Sequence, residues 1–125
     1  MIPDELKYTK EHEWVKIEGN VATIGITDWA QGELGDVVFV ELPEIGAEVK
    51  QSETFGTIEA VKAVSDLFSP VTGKIVEANL HLEDDPMVIN QSPYDDGWII
   101  KVEVTDTAQL EQLLDANGYQ NLIAE

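Results

Sequence analysis

Glu59-Ala60-Val61-Lys62-Ala63-Val64-Ser65-Asp66 is where two strand-like runs, 54–61 and 64–69, meet, and no Gly, Pro or Asn marks the junction. Lys62 is the only basic residue between Lys50 and Lys74. It stands among small apolar residues, with Glu59 and Asp66 three and four positions away. Two readings are open for this stretch. One is a single long strand with an outward Lys; the other is a tight β-turn that presents one amine to an external enzyme. A lysine at neutral pH is protonated and a poor nucleophile unless desolvated. Nothing in the flanking sequence supplies a desolvating pocket, so intrinsic catalysis by Lys62 is disfavoured. A lysine modified by a separate enzyme needs only exposure and a fixed position.

Outward from this junction the chain reads as mostly β, because short apolar alternations recur between turn residues. Runs at 14–18 and 21–26 flank Gly19-Asn20, a pair that tolerates positive φ and suits a two-residue hairpin. Val15 and Ile17 share one face, as do Ala22, Ile24 and Ile26. Thr27 or Asp28 caps a short helix through Glu33, which Gly35 closes. Further strands are predicted at 37–42, stopped by Pro43, and at 46–50, 74–78 and 98–104. The stretch 80–93 reads as polar and irregular, with the acid run Glu83-Asp84-Asp85 on a solvated face. The period then changes. Leu110, Leu113 and Leu114 form an i, i+3, i+4 stripe on a predicted helix over 106–117, with Asp106 and Gln109 as a capping box and Asn117-Gly118 as its stop. Tyr119, Leu122 and Ile123 suggest a last amphipathic turn. One domain over 1–125 is expected, its core about 8–104 and its C-terminal helical segment about 106–124.

Composition removes most function classes. Seven basic residues, all Lys, against 25 acidic ones give a net charge of −18. That balance argues against nucleic acid, whose binders need cations to displace counterions from phosphate. The lack of Arg removes the bidentate clamp for phosphate or carboxylate. Without Cys there is no disulfide, thiol nucleophile or Cys-ligated metal, and with only His12 and His81 a three-His metal site is excluded. No apolar run approaches a membrane span, and residues 1–10 match neither a signal nor a transit peptide. A soluble, cytoplasmic protein with no metal and no membrane association is expected. No G-x-S-x-G elbow or phosphate-binding glycine loop occurs, so no catalytic residues are assigned. His12, between Glu11 and Glu13, reads as a surface histidine with a raised pKa.

The segment 55–73, Phe-Gly-Thr-Ile-Glu-Ala-Val-Lys-Ala-Val-Ser-Asp-Leu-Phe-Ser-Pro-Val-Thr-Gly, resembles the H-protein family of the glycine cleavage system, with its E-S-V-K-A-x-S-D pattern followed by S-P-x-x-G. Flanking blocks agree in order: Tyr8-Thr9-Lys10-Glu11-His12-Glu13-Trp14-Val15, then Ile24-Gly25-Ile26-Thr27-Asp28, then the run 34–43, then Asp96-Gly97-Trp98. The resemblance covers about the whole chain. Ala60 departs from it, standing where the family commonly has Ser.

The resemblance implies a lipoyl-domain-like barrel-sandwich hybrid with a short internal helix and a C-terminal helix. It implies that Lys62 lies in a hairpin turn and carries lipoate as an amide. It also implies partners: the P-protein, a pyridoxal-phosphate glycine decarboxylase; the T-protein, an aminomethyltransferase using tetrahydrofolate; the L-protein, dihydrolipoamide dehydrogenase; and a lipoate-attaching enzyme. The carrier itself, expected to be a monomer, catalyses none of their steps. Glu13 and Asp66 match family positions lining a cleft into which the loaded arm folds; the alternative is that both are ordinary surface acids.

A biotin carrier is disfavoured because Val61 and Ala63 replace the usual Met neighbours. An acyl carrier needs a helical Asp-Ser-Leu, whereas here Ser65-Asp66-Leu67 has the wrong order. Handing lipoyl groups on to other dehydrogenases, and an unmodified binding module that has lost its partners, remain as other readings.

Overall fold

The structure, a computed structural model, describes residues 2–124. Among the described residues nine strands form two antiparallel sheets. The larger has the order β1 (Lys7–Tyr8), β2 (Glu13–Glu18), β3 (Val21–Ile26), β9 (Ile100–Val104), β8 (Gly73–Ala78), β5 (Glu48–Val49). The smaller has the order β4 (Val37–Glu41), β6 (Thr54–Ala60), β7 (Val64–Phe68). A main apolar core is built from both. It includes Val15, Ile24 and Ile26 from one side and Val37, Val40, Ile58 and Leu67 from the other.

Glu18 pairs with Val21 across the Gly19-Asn20 turn, where Gly19 has φ +63°, as the sequence predicts. Every residue of β3 after Val21 is buried, which simple alternation does not predict. The reason is Trp14. It pairs with Gly25 and lies so close over it that an added Cβ would come within 2.6 Å of the indole. At Gly25 the outer face of β3 is thus covered by a ring that only glycine admits.

Helix α1 (Asp28–Leu34) starts at Thr27, whose side chain accepts from the Ala30 N–H, and closes on Gly35 at φ +76°. The stretch 80–93 is more ordered than its polarity suggests. It contains the short helices α2 (His81–Asp84) and α3 (Val88–Gln91), which bury Leu82, Val88 and Ile89 in the main core. Only these three apolar side chains are buried there, too few to show a period.

The tail differs from the expected single helix. Asp106 caps a 3-10 turn, Thr107–Gln112, and Leu113 is then extended. Asp115 caps a separate helix, α4 (Ala116–Ile123). Gly118 lies inside that helix, where its N–H donates to Asp115 Oδ1 at 2.8 Å; Asn117-Gly118 is therefore no helix stop. The leucine stripe is split accordingly. Leu110 and Leu113 pack on the main core, while Leu114 joins a second cluster of Leu6, Tyr8, Trp14, Ala116 and Tyr119. A backbone bridge between Tyr8 and Leu114 explains the break, because helix and sheet pairing compete for the same amide.

Candidate functional site

Lys62 sits in the turn joining β6 to β7, and it is exposed. Ala60 N–H donates to Ala63 O at 2.9 Å and closes the turn. The turn is also held from outside. Val61 N–H donates to Asp36 O at 3.0 Å, and Lys62 N–H to Leu34 O at 3.1 Å. These carbonyls come from the junction between α1 and β4. Asn90 of α3 fixes that junction, donating to Gly35 O and Gln31 Oε1 and accepting from Val37 N–H. Gly35 is needed beneath the turn, since a Cβ there would meet Val61 Cγ2 at 3.0 Å and Lys62 Cγ at 3.3 Å. A turn without Gly, Pro or Asn of its own is thus shaped by its neighbours. Around the lysine the surface is apolar, with Val61 and Val64 68% and 64% exposed.

A cavity of about 170 Å³ opens beside this turn. Ile26, Trp29, Ala30, Leu34 and Leu67 give it an apolar wall; Glu11, Glu13, Glu33 and Asp66 give it four carboxylates. Such a lining accepts a short hydrocarbon chain that ends in a cation. Leu34 belongs both to the cavity wall and to the lysine turn's anchor. A larger cavity of about 370 Å³ also borders Glu13, but neither Asp66 nor Leu34, the turn's anchor, lines it.

Glu13 and Asp66 therefore share one cleft, yet they are unlike. Asp66 is exposed on β7. Glu13 is only 2% exposed. Its Oε1 accepts from Thr9 Oγ1 at 2.7 Å and its Oε2 from Phe68 N–H at 3.0 Å. Burial raises its carboxyl to about 7, against the lowering effect of both hydrogen bonds. Glu13 is not one of many surface acids.

His12 corrects the sequence reading. It is half-buried at φ +70°, its ring stacked on Trp29 with centroids 4.3 Å apart. Desolvation lowers its pKa, outweighing the raising effect of Glu11 and Glu33. Sequence reasoning weighed the neighbouring charges but had no signal for the burial. Trp29 and Glu33 were missed as cleft residues for the same reason: a seven-residue helix shows too little periodicity to reveal which side is covered. Among the described residues no group of three His, Cys, Asp or Glu is placed to hold a metal ion.

The family model for the glycine cleavage H-protein matches residues 6–125. The chain belongs to the glycine cleavage H-protein family. The glycine cleavage system H proteins of Staphylococcus haemolyticus (strain JCSC1435) and Staphylococcus epidermidis are each 58% identical to it over 124 residues, covering 99% of this chain and 98% of each relative. The crystal structure of a glycine cleavage system H protein from Mycobacterium marinum superposes with a TM-score of 0.91 at 40% identity, covering 99% of this chain and all of that one. H-proteins are lipoyl carriers that work with the P, T and L proteins of the glycine cleavage system. No helix among the described residues is long and apolar enough to cross a membrane.

Proposed function

We propose that Lys62 carries lipoate as an amide. The chain then acts as one carrier domain, taking the aminomethyl group of glycine from the P-protein to the T-protein, with reoxidation by the L-protein, in the bacterial cytoplasm. It is a substrate of those enzymes and of the lipoate-attaching enzyme, not an enzyme. The observation that carries this reading is the lone lysine at the tip of an externally anchored turn, directly beside a cleft that is apolar on one side and acidic on the other.

When bound, lipoate supplies a dithiol–disulfide couple whose sulfur holds the aminomethyl cargo, which suits a chain with no Cys of its own. The residues present fit that group. Trp29, Ile26 and Leu67 would lie along the aliphatic arm, excluding water, while Glu13 and Asp66 would receive the cationic amine by charge-assisted hydrogen bonds. Fixing the turn backbone, Lys62 N–H on Leu34 O and Val61 N–H on Asp36 O, keeps the point of attachment constant while the side chain swings.

Intact mass of the protein from its native source, with peptide mapping, is the test. A single lipoyl increment on Lys62 is expected. The same protein with Lys62→Arg should fold normally, stay unmodified and fail to support glycine decarboxylation. Modification elsewhere, or activity of the Arg variant, would sink the assignment.

A further inference from the structure

Helix α4 reaches the cleft through one hydroxyl. Tyr119 is fully buried, its ring stacked on Tyr8 with centroids 4.8 Å apart. Its Oη lies 2.9 Å from His12 Nδ1 and 2.7 Å from Thr27 Oγ1. His12 lines the cleft and supports Trp29 by stacking. Thr27 caps the helix that carries Trp29. The two elements that form this side of the cleft, the 9–13 turn and the start of α1, are thus tied to one oxygen. A phenol can donate once and also accept, so both links can exist together. A buried tyrosine needs only one partner for its hydroxyl. Here it has two, His12 on the cleft lining and Thr27 at the cap of the helix that carries Trp29.

We propose that Tyr119 is a positioning residue, whose hydroxyl holds the His12–Trp29 wall in the geometry that receives the loaded lipoyl arm. This rests on the carrier reading of Lys62 and of the cleft. The His12 backbone is already held, its carbonyl accepting the Thr27 N–H at 3.0 Å, so the Tyr119 hydroxyl serves as the anchor of the ring that stacks on Trp29. Without that anchor the wall loosens, the docked arm loses ground to the free arm, and the cargo meets water more often.

Tyr119→Phe is the main test, because it keeps the ring and its stack on Tyr8 and removes only Oη. In the unlipoylated chain the ¹⁵N resonance of His12 Nδ1 should move. In the lipoylated and loaded protein, ammonia release without T-protein should rise roughly threefold to tenfold, the range set by one neutral hydrogen bond. Lipoylation and reoxidation by dihydrolipoamide dehydrogenase should keep their rates. His12→Asn, which tolerates positive φ and leaves α4 untouched, should raise release in the same way. A stationary Nδ1 resonance, or release at the wild-type rate from Tyr119→Phe, overturns the proposal. If that variant fails to fold, wild-type release from His12→Asn overturns it instead. Fast release from Glu13→Ala with wild-type release from Tyr119→Phe rejects the Tyr119 role alone; wild-type release from both rejects the cleft reading as well.

Discussion

The Glu13 carboxylate accepts the backbone N–H of Phe68 at 3.0 Å, so a buried acid at the start of β2 holds the end of β7 and joins the larger sheet to the smaller. The arrangement has a cost at neutral pH. Burial raises the carboxyl from 4.5 to about 7, so the ionised form is disfavoured in the folded state relative to the unfolded one.

Stability should therefore depend on Glu13 in a defined pH window. Between about 4.5 and 7 the folded protein keeps a proton that the unfolded chain has lost, so the contribution is complete below 4.5 and lost as pH rises through 7. The difference of 7 − 4.5 = 2.5 corresponds to about 3 kcal/mol. Glu13→Gln keeps an acceptor for Phe68 and cannot ionise. Denaturant unfolding of both proteins from pH 4.5 to 8 should show curves that diverge with rising pH, the Gln variant being the more stable at the alkaline end. Parallel curves would exclude Glu13 as the titrating group.

Removing either cleft acid should expose the cargo. Glu13→Ala and Asp66→Ala should leave reoxidation near normal but hasten ammonia or formaldehyde release from the loaded carrier. One lost hydrogen bond to a charged group is worth about 1.5–3 kcal/mol of docking. Because Glu13 also holds Phe68, Glu13→Ala should in addition lower the melting temperature, whereas exposed Asp66 should not. Equal release from all three proteins would return both acids to a purely structural or solvated role.

Gly35→Ala should disturb the lysine turn from below. At φ +76°, ψ −162° the backbone suits glycine almost alone, and the new methyl would press on Val61 and Lys62. A loss of about 1–3 kcal/mol is expected from the strain. The more telling readout is the rate of lipoylation, which should fall even when the protein is fully folded. An unchanged rate would mean that the attaching enzyme does not require this turn geometry.

The tail leucines should not behave as one stripe. Leu113 and Leu114 are only partly buried and pack in different clusters, so each alanine substitution should cost less than the 2–5 kcal/mol usual for a buried leucine. The double variant should be close to additive. Strong coupling in a thermal-melt cycle would show that the two clusters act as one.

Partner encounter should depend on salt. A net charge of −18 produces a long-range field, and the Debye length falls from about 10 Å at 0.1 M to about 3 Å at 1 M. Association rates with the decarboxylase should drop across that range while dissociation changes little. A flat profile would mean that the acidity serves solubility alone.

The sequence by itself determined the β character, the Gly19-Asn20 hairpin, a helix capped at Thr27 or Asp28 (the structure chose Thr27) and the family, because each rests on local chemistry or on ordered motifs. It left Lys62 open between a straight strand and a turn, and local signals could not decide, since the bonds that shape the turn come from Leu34 and Asp36. The resemblance named Glu13 and Asp66 for the cleft, and the rest of its lining belongs to the tertiary structure. Glu13, Trp29 and Asp66 meet only in the fold, with Tyr119 behind His12, and burial sets the properties of Glu13 and Tyr119. Burial turned Glu13 from a nominal surface acid into a carboxyl with a pKa near 7, and it lowered the pKa of His12 where adjacent acids alone would raise it. The tail broke into two pieces for a related reason. Leucine spacing favours a continuous helix, but Leu114 satisfies its amide by pairing with Tyr8, a partner more than a hundred residues away.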